Sequence, residues 1–145
     1  MSDLRENVPD LPKRIQKCST VIGYLGNLGI SYDFSPILKA LPLDPTLGLM
    51  LIGDGIKKAE IESFSDRHKL PLFITGWKPY SDALALANLC DLLVYPVADL
   101  GSQSISNKLC DYISLNKPIL VSQDIEQLPF PHPGLYKYIT SMDLL

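Results

Sequence analysis

The sequence is short of the residues that most catalytic chemistries need. Its 145 residues hold only two histidines, His68 and His132, and three cysteines, Cys18, Cys90 and Cys110. The cysteines are far apart and odd in number. They offer neither a zinc spacing nor a disulfide framework, so a reducing, cytoplasmic setting is expected. No Ser-His-Asp order and no acidic metal cluster stands out, so no metal or other cofactor is expected and no catalytic residue is assigned. His68 reads as a surface residue at a helix end, and His132 lies in a turn between Pro131 and Pro133. No apolar run reaches the roughly 18 residues of a membrane span, and the opening residues carry no apolar segment of the secretory type. One-sided charge is missing as well. Lys plus Arg number 13 and Asp plus Glu 16, a net −3, which lacks the basic surplus of a general nucleic-acid binder.

What is present is apolar material and punctuation. Hydrophobic residues make up 46% and charged residues 20%, enough for one packed domain and hardly two. Residues 1–19 are polar, contain Pro9 and Pro12, and end in the basic cluster Lys13, Arg14 and Lys17. They read as an arm or linker before a domain over 20–145. A solvated face is the plainer reading of the cluster, which is also the one hint of work at an inner membrane surface.

From Thr20 onward, short apolar runs alternate with helical stretches. Val21 to Leu25, Leu49 to Ile52, Leu72 to Thr75, Leu92 to Tyr95 and Ile119 to Ser122 are apolar on consecutive positions, as strands covered on both faces are. Between them, Ser35-Pro36 opens a helix over Ile37 to Leu41, and Asp54 caps one from Ile56 to about Arg67. Ser81 precedes the helix Asp82 to Ala87, apolar nearly all round and so expected to be buried. Ser104 or Ser106 opens one to about Leu115, with Ile105, Leu109, Tyr112 and Ile113 on a single stripe. The proline-rich tail after Gln123 closes with a short helical stretch, Leu135 to Leu145. We expect an α/β fold: a doubly wound, Rossmann-like sheet of five parallel strands in the order 3-2-1-4-5, with helices on both faces.

Ligands of such sheets gather outside the carboxyl ends of the strands. Gly26, Gly53 and Gly76 end the first three strands, where they either turn the chain or let backbone approach a ligand. Gly23 to Gly29 lacks the dinucleotide fingerprint, and no Gly-Lys-Ser/Thr follows it, so dinucleotide binding and P-loop hydrolysis are disfavoured. The stretch Gly101 to Lys108 combines Ser102, Gln103, Ser104 and Ser106 with a lysine one turn into a helix, a set that suits a diphosphate. Asp111 lies on the same flank, and its carboxylate could accept from ribose hydroxyls. An ordinary i, i+3 pair between Lys108 and Asp111 is the equal alternative. Trp77 stands on the ligand rim, where it packs at a turn or borders a base. Asp91, at the opposite end of its strand, has a structural role.

Taken in order, these pieces resemble the C-terminal, donor-binding domain of GT-B glycosyltransferases, especially the retaining family-four type. The matching stretches are Val21 to Leu28, Leu49 to Gly55, Ile74 to Trp77, Asp91 to Pro96 and, most telling, Ser106 to Val121, covering about Thr20 to Gln123. The resemblance implies a nucleotide-diphosphate sugar, with its base at Gly76-Trp77 and its diphosphate at the Gly26-Asn27 loop and the Ser102 to Ser106 helix start. The family's ribose-binding glutamate falls on Asp111, one methylene shorter. Its second glutamate falls on the uncharged Gln103, and its basic residue after the first glycine loop is absent from Gly29 to Asp33. The acceptor-binding half has no counterpart in these residues, which implies either a fragment or one subunit of a split enzyme, with a partner subunit supplying that half, or self-association. A non-catalytic nucleotide- or protein-binding module of the same fold is the alternative. A receiver-type signalling domain, which Lys117-Pro118 resembles, is excluded by the lack of an acidic pair after the first strand.

Overall fold

Residues 11–97, 107–122 and 134–137 are described by the computed structural model. Each consecutive apolar run becomes a strand because both of its faces are covered. In β1 (Thr20–Leu25), Val21 faces one core while Ile22 and Tyr24 face the other; in β2 (Leu47–Ile52), Met50 and Ile52 oppose Leu49 and Leu51; in β4 (Leu92–Tyr95), Leu93 opposes Val94. With β3 (Leu72–Ile74), β5 (Ile119–Val121) and β6 (Leu135–Lys137), they form one parallel sheet in the order β3-β2-β1-β4-β5-β6. The expected five strands stand in the expected order, and a sixth extends the sheet beside β5. Leu135 to Lys137, expected to be helical, is that strand: Leu135 is buried and Ile119 N–H donates to Gly134 O at 2.7 Å.

Helices cover both faces. The short α1 (Lys13–Gln16) lies on the side of Val21 and Met50, together with α4 (Tyr80–Asn88) and α5 (Asn107–Ser114). The other side carries α2 (Ser35–Ala40), a 3-10 turn over Leu41–Leu43, and α3 (Lys58–His68). Part of the polar segment read as an arm therefore packs: Leu11, Ile15 and Cys18 are buried in the core, while Lys13, Arg14 and Lys17 stay exposed. Arg14 Nε donates to Leu72 O at 2.8 Å, covering a carbonyl on the edge strand β3 that would otherwise invite pairing.

Two expected helix starts are displaced. Asp54 Oδ1 accepts from Gly55 N–H at 2.8 Å, and α3 starts only at Lys58, where no side chain caps it. The α4 helix begins at Tyr80 after Pro79, whose restricted φ suits a helix entrance, so Ser81 lies inside the first turn. Nor is α4 buried all round. Ala83 and Ala87 face the core, whereas Ala85 and Asn88 are exposed. The stripe expected on α5 holds for Leu109, Tyr112 and Ile113, with Ile105 outside the described residues. Among the described residues, no helix is long and apolar enough to cross a membrane.

The placement of α5 depends on a parting of strands. β1 pairs with β2 over its whole length but with β4 only through Ile22–Leu92 and Gly23–Leu93. Near its start the junction is locked by Asp91, whose Oδ2 accepts from Val21 N–H at 2.8 Å, the structural role expected of it. Beyond Gly23 and Leu93 the two strands diverge, and the fully buried Tyr112 fills the gap. Its hydroxyl accepts from Leu25 N–H at 3.0 Å and donates to Val94 O at 2.9 Å. One hydroxyl thus satisfies two backbone groups that have lost each other.

Tyr112→Phe keeps the packing but leaves both groups without that partner in a dry core. We expect a loss of about 1–3 kcal/mol in unfolding free energy by chemical denaturation; a change under roughly 0.5 kcal/mol would contradict this role.

Candidate functional site

The order 3-2-1-4-5-6 reverses direction between β1 and β4, and the crevice outside that point is where ligands of open α/β sheets collect. A cleft of about 550 Å³ opens there, within the usual range for small-molecule sites. Gly26, Asn27, Gly53, Trp77, Lys108 and Asp111, all singled out from the sequence, line it. Gly76 turns the chain at φ +77° but does not line the cleft. Ser102, Gln103, Ser104 and Ser106 lie outside the described residues.

The floor is two interlocked loops. Gly26 N–H donates to Ile52 O at 2.9 Å and Leu28 N–H to Asp54 O at 2.9 Å, so the turn after β1 rides on the turn after β2. Gly53 has φ +152°, and a methyl group there would overlap the carbonyl oxygen of Gly26. Gly26 has φ +137°, and a methyl group there would fall on the Lys108 ammonium. The two glycines let the loops touch and leave room for the lysine.

Lys108 projects inward from the first turn of α5. Its Nζ donates to the Tyr24 hydroxyl at 2.8 Å and lies 4.1 Å from the Tyr24 ring centre and 4.4 Å from that of Tyr32. Tyr24 in turn donates to Asn27 O at 2.5 Å, which ties the lysine to the first glycine loop. Tyr32 is held by ring contacts with Tyr24 and Tyr95, and by the Lys57 ammonium on its carbonyl. The aromatic faces attract the cation, but removal from water counts for more. Burial pushes Lys108 down to about 7, against the pull of the Asp111 carboxylate. Burial likewise holds the Tyr24 and Tyr112 hydroxyls well above the usual tyrosine value, so both stay protonated and act as fixed dipoles.

Asp111 faces the cleft one turn along the same helix. Its Oδ1 accepts from the Tyr80 hydroxyl at 2.7 Å, a bond that raises the pKa of that hydroxyl. Trp77 is 76% exposed on the rim, so it is not the packing residue that one reading of the sequence gave. Tyr24, Tyr32 and Tyr80 were not singled out from the sequence. One signal for Tyr24 was available: a hydroxyl in a strand covered on both faces must find a partner. The described residues also form a larger trough, of about 1030 Å³, along the outer edge of β3. It lies away from the switch point, and surface charges of both signs line it, including Arg14, Glu62, Asp66 and Lys69. We place the site in the smaller cleft, where the sheet's geometry and the converging polar groups coincide.

Gly53→Ala forces the two loops apart at a strained φ. We expect it to lower thermal stability, at a cost of about 1–3 kcal/mol, and to alter the amide signals of Gly26 and Asn27 in a heteronuclear NMR spectrum. Unchanged signals at both residues would contradict the interlock.

No family model matches the chain, and no curated protein matches it by sequence. Solved structures do. The catalytic domain of cholesterol-α-glucosyltransferase from Helicobacter pylori is 17% identical, with a TM-score of 0.67 over 86% of this chain and 80% of that one. HepE from Anabaena, crystallised with UDP and glucose, is 18% identical, with a TM-score of 0.63 over 83% of this chain and 32% of that one. The lipopolysaccharide outer core galactosyltransferase WaaB is 17% identical, with a TM-score of 0.64 over 89% and 37%. The chain thus spans about a third of the length of HepE and of WaaB. Identities this low speak to architecture alone: the chain shares the Rossmann-like α/β fold found in these GT-B glycosyltransferases.

Proposed function

We propose that this chain is the donor-binding half of a glycosyltransferase, taking a nucleotide-diphosphate sugar in the cleft between β1 and α5 for transfer of the glycosyl group. The observation that carries this reading is the convergence of Lys108 and Asp111, a cation and a carboxylate on one flank of α5, on the glycine turns at the point where β1 and β4 part. HepE, whose fold this chain shares, has been crystallised with UDP and with UDP-glucose.

On this reading the diphosphate lies against the Gly26-Asn27 turn and the start of α5. Lys108 offsets part of its charge, both on binding and as charge grows on the departing phosphate. Asp111 accepts from ribose hydroxyls, and the exposed ring of Trp77 borders the base. The acceptor side, and the wall that excludes water, come from a further domain or chain that docks on the rim. Ile30 and Ile56 support such docking: they stand on the loops after β1 and β2 and are 78% and 77% exposed. One observation favours the alternative of a nucleotide-binding module without turnover. Lys108 is withdrawn onto two tyrosine rings and carries its proton only part of the time near neutral pH.

Calorimetric titration with UDP-, GDP- and ADP-sugars tests the reading. One of them should bind, and Lys108→Ala and Asp111→Ala should each weaken it by about tenfold or more, on the scale of one charge-assisted hydrogen bond. Binding that neither change affects would remove the site.

The same titration should depend on pH. The anion binds best to the ammonium form, which is half populated at about 7, complete well below that and lost above it. Affinity should therefore fall as pH rises from roughly 6 to 9, by at most about tenfold per unit. A flat profile, or one that Lys108→Met leaves unchanged, would contradict this role for Lys108.

A further inference from the structure

Tyr80 lines the switch-point cleft, and the proposed function gives it no role. It is the first residue of α4 and is 62% exposed, so burial does not hold its ring in place. Two other things do. Pro79 precedes it with restricted backbone freedom, and Ala83 N–H donates to Pro79 O at 2.9 Å, which fixes the helix entrance. The Tyr80 hydroxyl then reaches across to α5 and donates to Asp111 Oδ1 at 2.7 Å, joining residues 31 apart in sequence over the mouth of the cleft that both line.

A carboxylate on a helix surface is otherwise free to turn, and its two oxygens are equivalent. A phenol that gives its one proton to Oδ1 ends that equivalence. It restrains the plane of the carboxylate and leaves Oδ2, which that bond does not engage, with lone pairs for two neighbouring hydroxyls. Resting on the donor-binding reading, we propose that Tyr80 is a positioning residue that sets Asp111 to read a vicinal ribose diol, so that the Tyr80–Asp111 pair selects ribonucleotides over nucleotides lacking those hydroxyls. The phenol does this without adding charge near the diphosphate, and Tyr80→Phe removes one hydroxyl from an exposed ring, which the fold tolerates.

The test is calorimetric titration of the whole chain with UDP, ADP and GDP, each against its 2′,3′-dideoxy counterpart. It is run on the wild type, Tyr80→Phe, Asp111→Asn and the double variant. The wild type should prefer one ribonucleotide over its dideoxy form by about tenfold or more. Tyr80→Phe should cut that preference to about threefold or less while leaving the dideoxy affinity within about twofold, and in the Asp111→Asn background it should add nothing. Two outcomes overturn the proposal and leave the donor site standing: the preference survives Tyr80→Phe, or both forms lose affinity equally. If no nucleotide binds the wild type, the proposal and the reading beneath it fall together.

Discussion

The arrangement depends on a strand pair that stops pairing. β1 and β4 share two residue pairs and then separate, and the hydroxyl of Tyr112 stands between Leu25 N–H and Val94 O where their own hydrogen bond would have been. A gap in a buried sheet is costly unless its polar groups are satisfied. The tyrosine makes the gap tolerable and in the same act sets the position of α5. Leu109 and Tyr112 face the core, so Lys108 and Asp111 necessarily face the opening. The cleft and its charged groups therefore have a single cause.

The same economy shapes the electrostatics. The Gly26 and Gly53 turns are locked so closely that neither has room for a side chain, and the space left beside Gly26 is taken by the lysine. The aromatic pocket that receives Lys108 draws on β1 for Tyr24 and on the following loop for Tyr32. That pocket lowers the lysine's affinity for its proton. An anion arriving there would raise it again and so couple binding to proton uptake at one side chain. Asp111 is held differently, by a phenol on the water side of the cleft.

Much of this was legible in the sequence, for identifiable reasons. Strands covered on both faces must be apolar at successive positions, and Leu49 to Ile52 or Leu92 to Val94 leave little else to read. The i, i+3 spacing of Lys108 and Asp111 beside the stripe Leu109, Tyr112 and Ile113 placed both on one flank. β6 escaped notice because Leu135 to Lys137 is three residues long and follows a run of prolines, so it has no periodicity to detect. Asp54 misled because capping propensity is local, while the actual helix starts at Lys58 and Tyr80 follow from loop interlock and from Pro79. Alanine was overread in α4, where small side chains pack on one face and tolerate water on the other. The tyrosines of the site were hidden for a deeper reason. Tyr24, Tyr32 and Tyr80 come from three separate segments, and only the folded sheet brings them to Lys108 and Asp111.

We propose that a nucleotide sugar binds at the parting of β1 and β4. Amide chemical-shift mapping of the whole chain, with increasing UDP-sugar, tests it most directly. The largest saturable shifts are expected on Gly26, Asn27, Gly53 and the residues from Lys108 to Asp111. Shifts confined to the trough along β3, around Glu62, Lys69 and Phe73, or no saturable shift at all, would contradict it.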